Sequence, residues 1–159
     1  MTGPMDGGAP PDGARAVSDL IAISTIQRAL ATYCQLCDDG EFRRLAEGFA
    51  PDGSFVFAGE TVTGRIALER WFEAAQPPRR RGKHLTVNAI IDLEGDRASV
   101  VSDFVFVRLV GGVPLLQIAG RYRDVFVRAG DRWLIERRDV ETMGDLTGGM
   151  STGTEQEHG

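Results

Sequence analysis

His84 is the residue from which proton chemistry in this chain would start. It follows a loop rich in Pro and Arg and opens a β-like run, His84-Leu85-Thr86-Val87-Asn88-Ala89-Ile90-Ile91-Asp92. The only other histidine is His158, in the last two residues. A neutral imidazole can take a proton and an imidazolium can give one, both near neutral pH. Such a base needs a group to orient it, and Asp38 is placed to do so. Leu30, Cys34 and Asp38 form an i, i+4, i+8 row, so Asp38 continues the apolar face of a helix. Asp39 is turned ~100° further round and is free to cap the next helix. A carboxylate on an inward face needs partners, because burying it alone is costly. Asp38 is thus a natural partner for His84 or for an arginine. The plainer reading is that Asp38 caps a frayed helix end in water.

Other residues with chemical potential read more plainly. Cys34 and Cys37 have the redox C-x-x-C spacing, but both fall inside a helical pattern, so packing is the expected role. A zinc site would need two more ligands, and the chain could add only His84 and His158. Arg79-Arg80-Arg81 with Lys83 could draw an anionic substrate to a pocket mouth, although such a run is more often a solvated loop. No metal cluster, phosphate loop, dinucleotide fingerprint or nucleophile elbow is present, and no cofactor is expected.

The elements that must position these residues follow from periodicity. Residues 1 to about 16 are rich in Gly, Pro and Asp and are expected to be disordered. Helical spacing runs from Ser18 to Asp38, closed by Gly40. A short second helix presents Phe42, Leu45 and Phe49. Ala50-Pro51-Asp52-Gly53 reads as a turn, Ser54 to Ala58 as a strand, Gly59-Glu60 as a hairpin turn and Thr61-Val62 as its return. Thr63 is suited to cap a third helix, Gly64 to Gln76, which presents Trp71 and Phe72. The rest is strand: His84 to Asp92, Arg97 to Val110, Leu115 to Arg128 with a bend at Gly120, and Arg132 to Thr142. Residues 143 to 159 read as a flexible tail. The ordered domain is expected over 17–142 as an α+β fold, with a strongly curved antiparallel sheet wrapped on three N-terminal helices to leave a pocket.

The totals agree with one soluble domain. There are 159 residues, and a net charge of -5 argues against a nucleic-acid partner. No apolar stretch is long enough to span a membrane, and the N-terminus lacks a signal peptide's pattern, so a cytoplasmic protein with free thiols is expected.

Several pieces taken together resemble the SnoaL-like branch of the nuclear transport factor 2-like superfamily. They are Tyr33 through Gly40, Phe49-Ala50-Pro51-Asp52-Gly53-Ser54-Phe55, Gly64-Arg65, His84-x-x-x-Asn88, Gly120-Arg121-Tyr122-x-Asp124 and Trp133-x-Ile135-x-x-Arg138. The resemblance runs from about residue 18 to 142. It implies a cone-shaped α+β barrel, commonly a homodimer packed through the open sheet face. The superfamily includes scytalone dehydratase, lindane dehydrochlorinase, ketosteroid isomerase, limonene epoxide hydrolase and polyketide cyclases, beside non-catalytic binding modules. By this resemblance Asp38 and His84 match the acid and histidine base of the dehydratase and dehydrochlorinase members. Arg138 matches a pocket arginine, and Tyr33 lies where pocket-lining polar groups occur. Trp71, Asn88 and Phe104 complete the candidate substrate-binding set.

Two functions remain open at this level. One is a cofactor-free lyase or isomerase using His84 as general base on a small, fairly apolar substrate. The other is a non-catalytic ligand-binding or scaffold module in which Asp38 and His84 are a satisfied pair. Strand alternation complicates the first. It groups His84, Thr86, Asn88 and Ile90 on one face and the purely apolar Leu85, Val87, Ala89 and Ile91 on the other. If the apolar set were the core, His84 would point outward; a dimer interface on the apolar face would turn it inward.

Overall fold

A computed structural model describes residues 12–143. Helix α1 spans Asp12–Asp39, α2 Phe42–Ala46 and α3 Arg65–Ala75. The strands are β1 (Phe49–Phe57), β2 (Glu60–Thr63), β3 (Lys83–Glu94), β4 (Arg97–Val110), β5 (Val113–Ala129) and β6 (Arg132–Thr142). A single 3-10 turn, Pro78–Arg80, links α3 to β3.

The strands form one sheet in the order β2-β1-β6-β5-β4-β3. The α+β class is as expected, but the sheet is mixed and not wholly antiparallel. β1 runs parallel to β6, a pairing that needs a long crossover, here supplied by β2, α3 and the three long strands between them in sequence. The sheet is also unclosed, with β2 and β3 as its edges.

Several boundaries differ from the periodic reading. α1 begins at Asp12, since a helix once nucleated extends cheaply into an exposed Ala-containing stretch. The remainder of the segment expected to be disordered, and the tail beyond Met143, lie outside the described residues. Pro51-Asp52-Gly53 is not a turn between elements. It lies within β1, where the register with β6 shifts between Phe49 and Ser54. Thr63 ends β2 and does not cap α3; Gly64 holds that position with φ +87 and no side-chain cap. Instead, Arg65 Nε and Nη2 donate to the Phe49 carbonyl (2.9 and 2.6 Å), fastening α3 to β1. Nor does Asp39 cap α2, which starts at Glu41 without a side-chain bond.

The core lies between α1, α3 and the concave face of the sheet. Ile26, Leu30, Cys34 and Cys37 supply the buried row of α1; Phe72, Phe126 and Ile135 meet it. On β4 the row Ala98, Val100, Ser102, Phe104, Phe106 is buried, as strict alternation requires. Strand β3 alternates only in pieces. Its register with β4 shifts between Val87 and Ile90, and Asn88 takes a positive φ of 54. The inward row therefore passes from His84 and Thr86 to Ala89, Ile91 and Leu93, while Leu85, Val87, Asn88 and Ile90 face solvent. The expected four-residue grouping is corrected by this bulge: the outward set is not purely apolar, and His84 turns inward without any help from a partner.

Candidate active site

The end of α1 is built to present Asp38. Gly40 has φ +75; its N–H bonds Cys37 and the Glu41 N–H reaches back to Leu36 (3.3 and 2.9 Å), a Schellman closure. Arg81 then lies on this corner. Its Nε donates to the Gln76 carbonyl (3.1 Å), its Nη1 approaches that of Asp39 (3.5 Å), and its guanidinium packs over Phe42. A Cβ at residue 40 would collide with that guanidinium, so the glycine serves both the backbone and the contact.

Asp38, with its side chain 3% exposed, meets the first turnward residues of β3. Oδ1 is 2.7 Å from His84 Nδ1. The His84 backbone N–H donates to the same carboxylate at 3.0 and 3.2 Å, and Lys83 Nζ stands 3.6 Å from Oδ2. A carboxylate only accepts, so Nδ1 carries the ring proton and Nε2 is the free, basic nitrogen. The ring packs on Phe106, centroids 4.4 Å apart. Burial pushes the His84 pKa below its ordinary value, against the opposing pull of Asp38. The imidazole is therefore neutral at pH 7, the form a general base needs.

His84 lines a cavity of about 540 Å³ between α1, α3 and the sheet. That volume is within the usual range for small-molecule sites. The walls are chiefly aromatic. Trp71 lies 4.9 Å from Phe55 and donates its indole N–H to Glu60 (3.0 Å); Phe104 stacks on Tyr122 at 4.3 Å. Gly120 makes that stack possible, since a Cβ there would strike the Phe104 ring and the Glu141 carbonyl. Tyr33 and Cys37 also reach the wall. Burial raises the Tyr33 phenol well above its ordinary value and pushes the Cys37 thiol up to about 12, so both stay protonated. Cys34 shares a 3.1 Å contact with Thr86 and packs in the core, which leaves neither thiol as a nucleophile.

Of the sequence candidates, Asp38, His84, Tyr33, Trp71 and Phe104 come together here. Asn88 does not. The bulge turns it to the convex face, where its side-chain N–H donates to Asp103 (3.2 Å). Arg138 is fully buried behind the cavity wall and does not line it. It binds Asp124 through two bonds, 2.8 and 2.6 Å, and its guanidinium is sandwiched between the rings of Tyr33 and Tyr122, each 4.1 Å away. Nη1 has no hydrogen-bond partner; the two ring faces hold that cation instead. Asp124 and Tyr122 were missed as a unit. Their signal was an acid and an arginine on adjacent strands, Asp124 opposite Arg138, which only the register reveals.

A sheet curved round one long helix, with an aromatic cavity between them, is the architecture of the nuclear transport factor 2-like proteins. Within that class the chain belongs to the SnoaL-like domain family, whose model matches residues 18–139. Among solved structures it is similar to a protein of unknown function from Mycobacterium tuberculosis, 26% identical with a TM-score of 0.78 over 88% of this chain and 80% of that one. It is also similar to a nuclear transport factor 2-like protein with a cystatin-like fold from Novosphingobium aromaticivorans (24% identity, TM-score 0.78, 86% and 92% covered). A candidate scytalone dehydratase from the same organism matches at 22% identity and TM-score 0.72, over 81% and 89% of the two chains. At those last two identities the likeness is one of fold. No curated protein matches the sequence at a significant level.

Proposed function

We propose that this protein is a cofactor-free acid–base enzyme of the lyase or isomerase kind, acting on a small, largely apolar substrate. One observation carries the reading. His84 Nδ1 is held by Asp38, and the residue lines an aromatic cavity that leaves Nε2 as the available base; burial lowers the ring's pKa and so favours its neutral form. In this mechanism Nε2 removes a proton from an activated C–H. Asp38 fixes the tautomer and stabilises the imidazolium that forms. The protonated Tyr33 phenol, on the same wall, is the available donor to the developing oxyanion. The imidazolium then returns its proton to another carbon, which is isomerisation, to a departing hydroxyl, which is dehydration, or to the alkoxide left when the carbanion has added to a carbonyl carbon of the same substrate, which is aldol-type cyclisation.

The convex face supports a companion proposal, a homodimer through the sheet. Leu85 pairs with Val105 and Ile90 with Val101 on that face, and Leu85 and Ile90 are 51% and 64% exposed. Among the described residues no helix is long and apolar enough to cross a membrane.

The test is proton exchange. The protein is incubated in D2O with cyclic ketones, enones and hydroxylated aromatic ketones, and C–H exchange is followed by NMR. The expected result is exchange that depends on His84 and is lost in His84→Gln. Exchange no faster with wild type than with His84→Gln, for compounds shown to bind, would leave a ligand-binding module.

A further inference from the structure

The mouth of the cavity has a charge that the Asp38–His84 pair does not use. The chain carries a net charge of -5, yet among the described residues the lining contains Arg80 and Arg108 and no Asp or Glu. Arg108 is half-buried on β4, two residues beyond Phe106 and on the same inward row. Phe106 pairs across the sheet with His84. Two strand residues advance about 7 Å. The arginine therefore stands one side-chain position outward from the base. Its Nη2 donates to the Arg79 carbonyl (3.0 Å), tying down the 3-10 turn that carries Arg80.

Neither arginine enters an ion pair among the described residues. Arg97, Arg121, Arg123 and Arg137 on the sheet each hold a carboxylate, and Arg128 and Arg132 at its end bond backbone carbonyls outside the cavity; what sets Arg80 and Arg108 apart is that they line the cavity. Among the described residues, the acids that hydrogen-bond to lining side chains are engaged there, Asp38 by His84 and Lys83 and Glu60 by the Trp71 indole. An aromatic cavity lined by two guanidinium groups that hold no carboxylate among the described residues fits an amphipathic anion, rings inward and charge beside the arginines. A guanidinium fork matches carboxylate and phosphate oxygens alike, and at Arg108 partial burial weakens the screening of that attraction, while Arg80 is exposed.

We propose that the substrate is an aromatic or fused-ring compound bearing an oxyanion, a carboxylate or a phosphate, held at the mouth by Arg108 and Arg80. This deepens the reading of the cavity as a substrate site but does not depend on His84 being a base. The pairing of Phe106 with His84 then makes Arg108 a specificity determinant: it selects substrates whose acidic C–H lies a short ring's reach from the anion.

The test is calorimetric titration of the full chain with 2-naphthoate, 2-naphthyl phosphate and the neutral 2-naphthylmethanol. At low salt at least one anion is expected to bind about tenfold or more tightly than the alcohol, the scale of a charge-assisted fork. Its advantage should shrink as salt is added, vanish in Arg108→Gln, and largely persist in Arg108→Lys, which also controls for folding. The anion that gains more identifies the oxyanion. Three results would overturn the proposal: the alcohol binding as tightly as both anions, none of the three binding, or the anion advantage surviving Arg80→Gln with Arg108→Gln. His84→Gln should keep the anion preference in full. A preference that stands while proton exchange is absent removes the catalytic reading alone; exchange without a preference removes this one alone.

Discussion

Asp38 grips His84 by two separate groups, accepting both the ring Nδ1–H at 2.7 Å and the backbone N–H of the same residue at 3.0 and 3.2 Å. One carboxylate thereby sets where strand β3 begins and how its first inward side chain is turned. The backbone bond fixes the origin of the side chain and the ring bond fixes its tautomer. Orientation of the base does not rely on the ring bond alone, which matters for a residue near the end of an edge strand.

Replacing Asp38 by Asn should separate orientation from binding. The amide offers one acceptor oxygen and adds donors that face the donors of His84. Proton-exchange rate should fall roughly 10²–10⁴-fold, the usual worth of a positioned base, with ligand affinity little changed. Stability in urea should drop by about 1–3 kcal/mol, because the side chain is buried and its bonds are charge-assisted. A rate loss matched by an equal loss of ligand affinity would show instead that Asp38 shapes the cavity and does not tune the base.

Acid should inactivate and destabilise the protein through the same ring. Burial holds the folded-state pKa of His84 below 6.5, while in the unfolded chain it titrates near 6.5. Between those two values the unfolded state binds more protons. The contribution to stability is complete above about pH 6.5 and is lost as pH falls through the lowered folded value. Activity should be flat through neutrality, with an acid limb centred below 6.5. An NMR titration of the ring C–H signals checks this, with His158→Gln to assign the two histidines. Asp38 is the influence that raises this pKa, so Asp38→Asn should lower it further. A wild-type midpoint above 6.5 would show that the Asp38 bond outweighs burial.

The ion pair behind the cavity should act on stability first. Asp124 and Arg138 are both fully buried and share two bonds. Asp124→Asn leaves an uncompensated guanidinium in the core and should cost about 3–5 kcal/mol in urea unfolding. Replacing both partners, as Asp124→Leu with Arg138→Met, should recover most of that loss, since well-packed apolar groups need no counter-charge. A double variant as unstable as the single one would mean that the contact between the guanidinium and the rings of Tyr33 and Tyr122 is what holds that wall.

These residues also show where the sequence could be read and where it could not. Asp38 was legible because an i, i+4, i+8 row is rigid helical geometry, and a carboxylate on an apolar row demands a partner. The alternation of β4 runs without interruption, so its two faces separate in the sequence, but both are largely apolar and only the structure shows that Ala98, Val100, Ser102, Phe104 and Phe106 are the buried row. Asn88 was misplaced because one bulge reverses every later face, and the alternating pattern itself carries no mark of it. The available signal was the residue type, since Asn tolerates a positive φ better than its β-branched neighbours. Arg138 was assigned to the pocket by resemblance, but its partner was invisible. Asp124 lies opposite it only because of the register between β5 and β6, which shifts between Val125 and Phe126. The parallel pairing of β1 with β6 was hidden for the same reason: non-local neighbours leave no local pattern.

The convex face gives the last prediction. The bulge at Asn88 leaves Leu85, Val87 and Ile90 together on the outside of the edge strand, against Val101 and Val105 of β4. Asp103 interrupts this apolar field, but it is held by Arg121 and Asn88 and so can be buried at lower cost. Apolar surface next to an edge strand invites unspecific association in water unless a partner covers it. Analytical ultracentrifugation should therefore find a dimer at micromolar concentration, and Val105→Asp, which places an unpaired charge in the middle of the field, should shift it to monomer. Such a monomer should keep the Asp38–His84 bond, because the bulge and Asp38 orient that ring within one chain. The His84 titration of the monomeric variant should then match the wild type. A wild-type protein that stays monomeric at high concentration would refute the interface, while a titration altered by monomerisation would show that the partner subunit helps to bury the base.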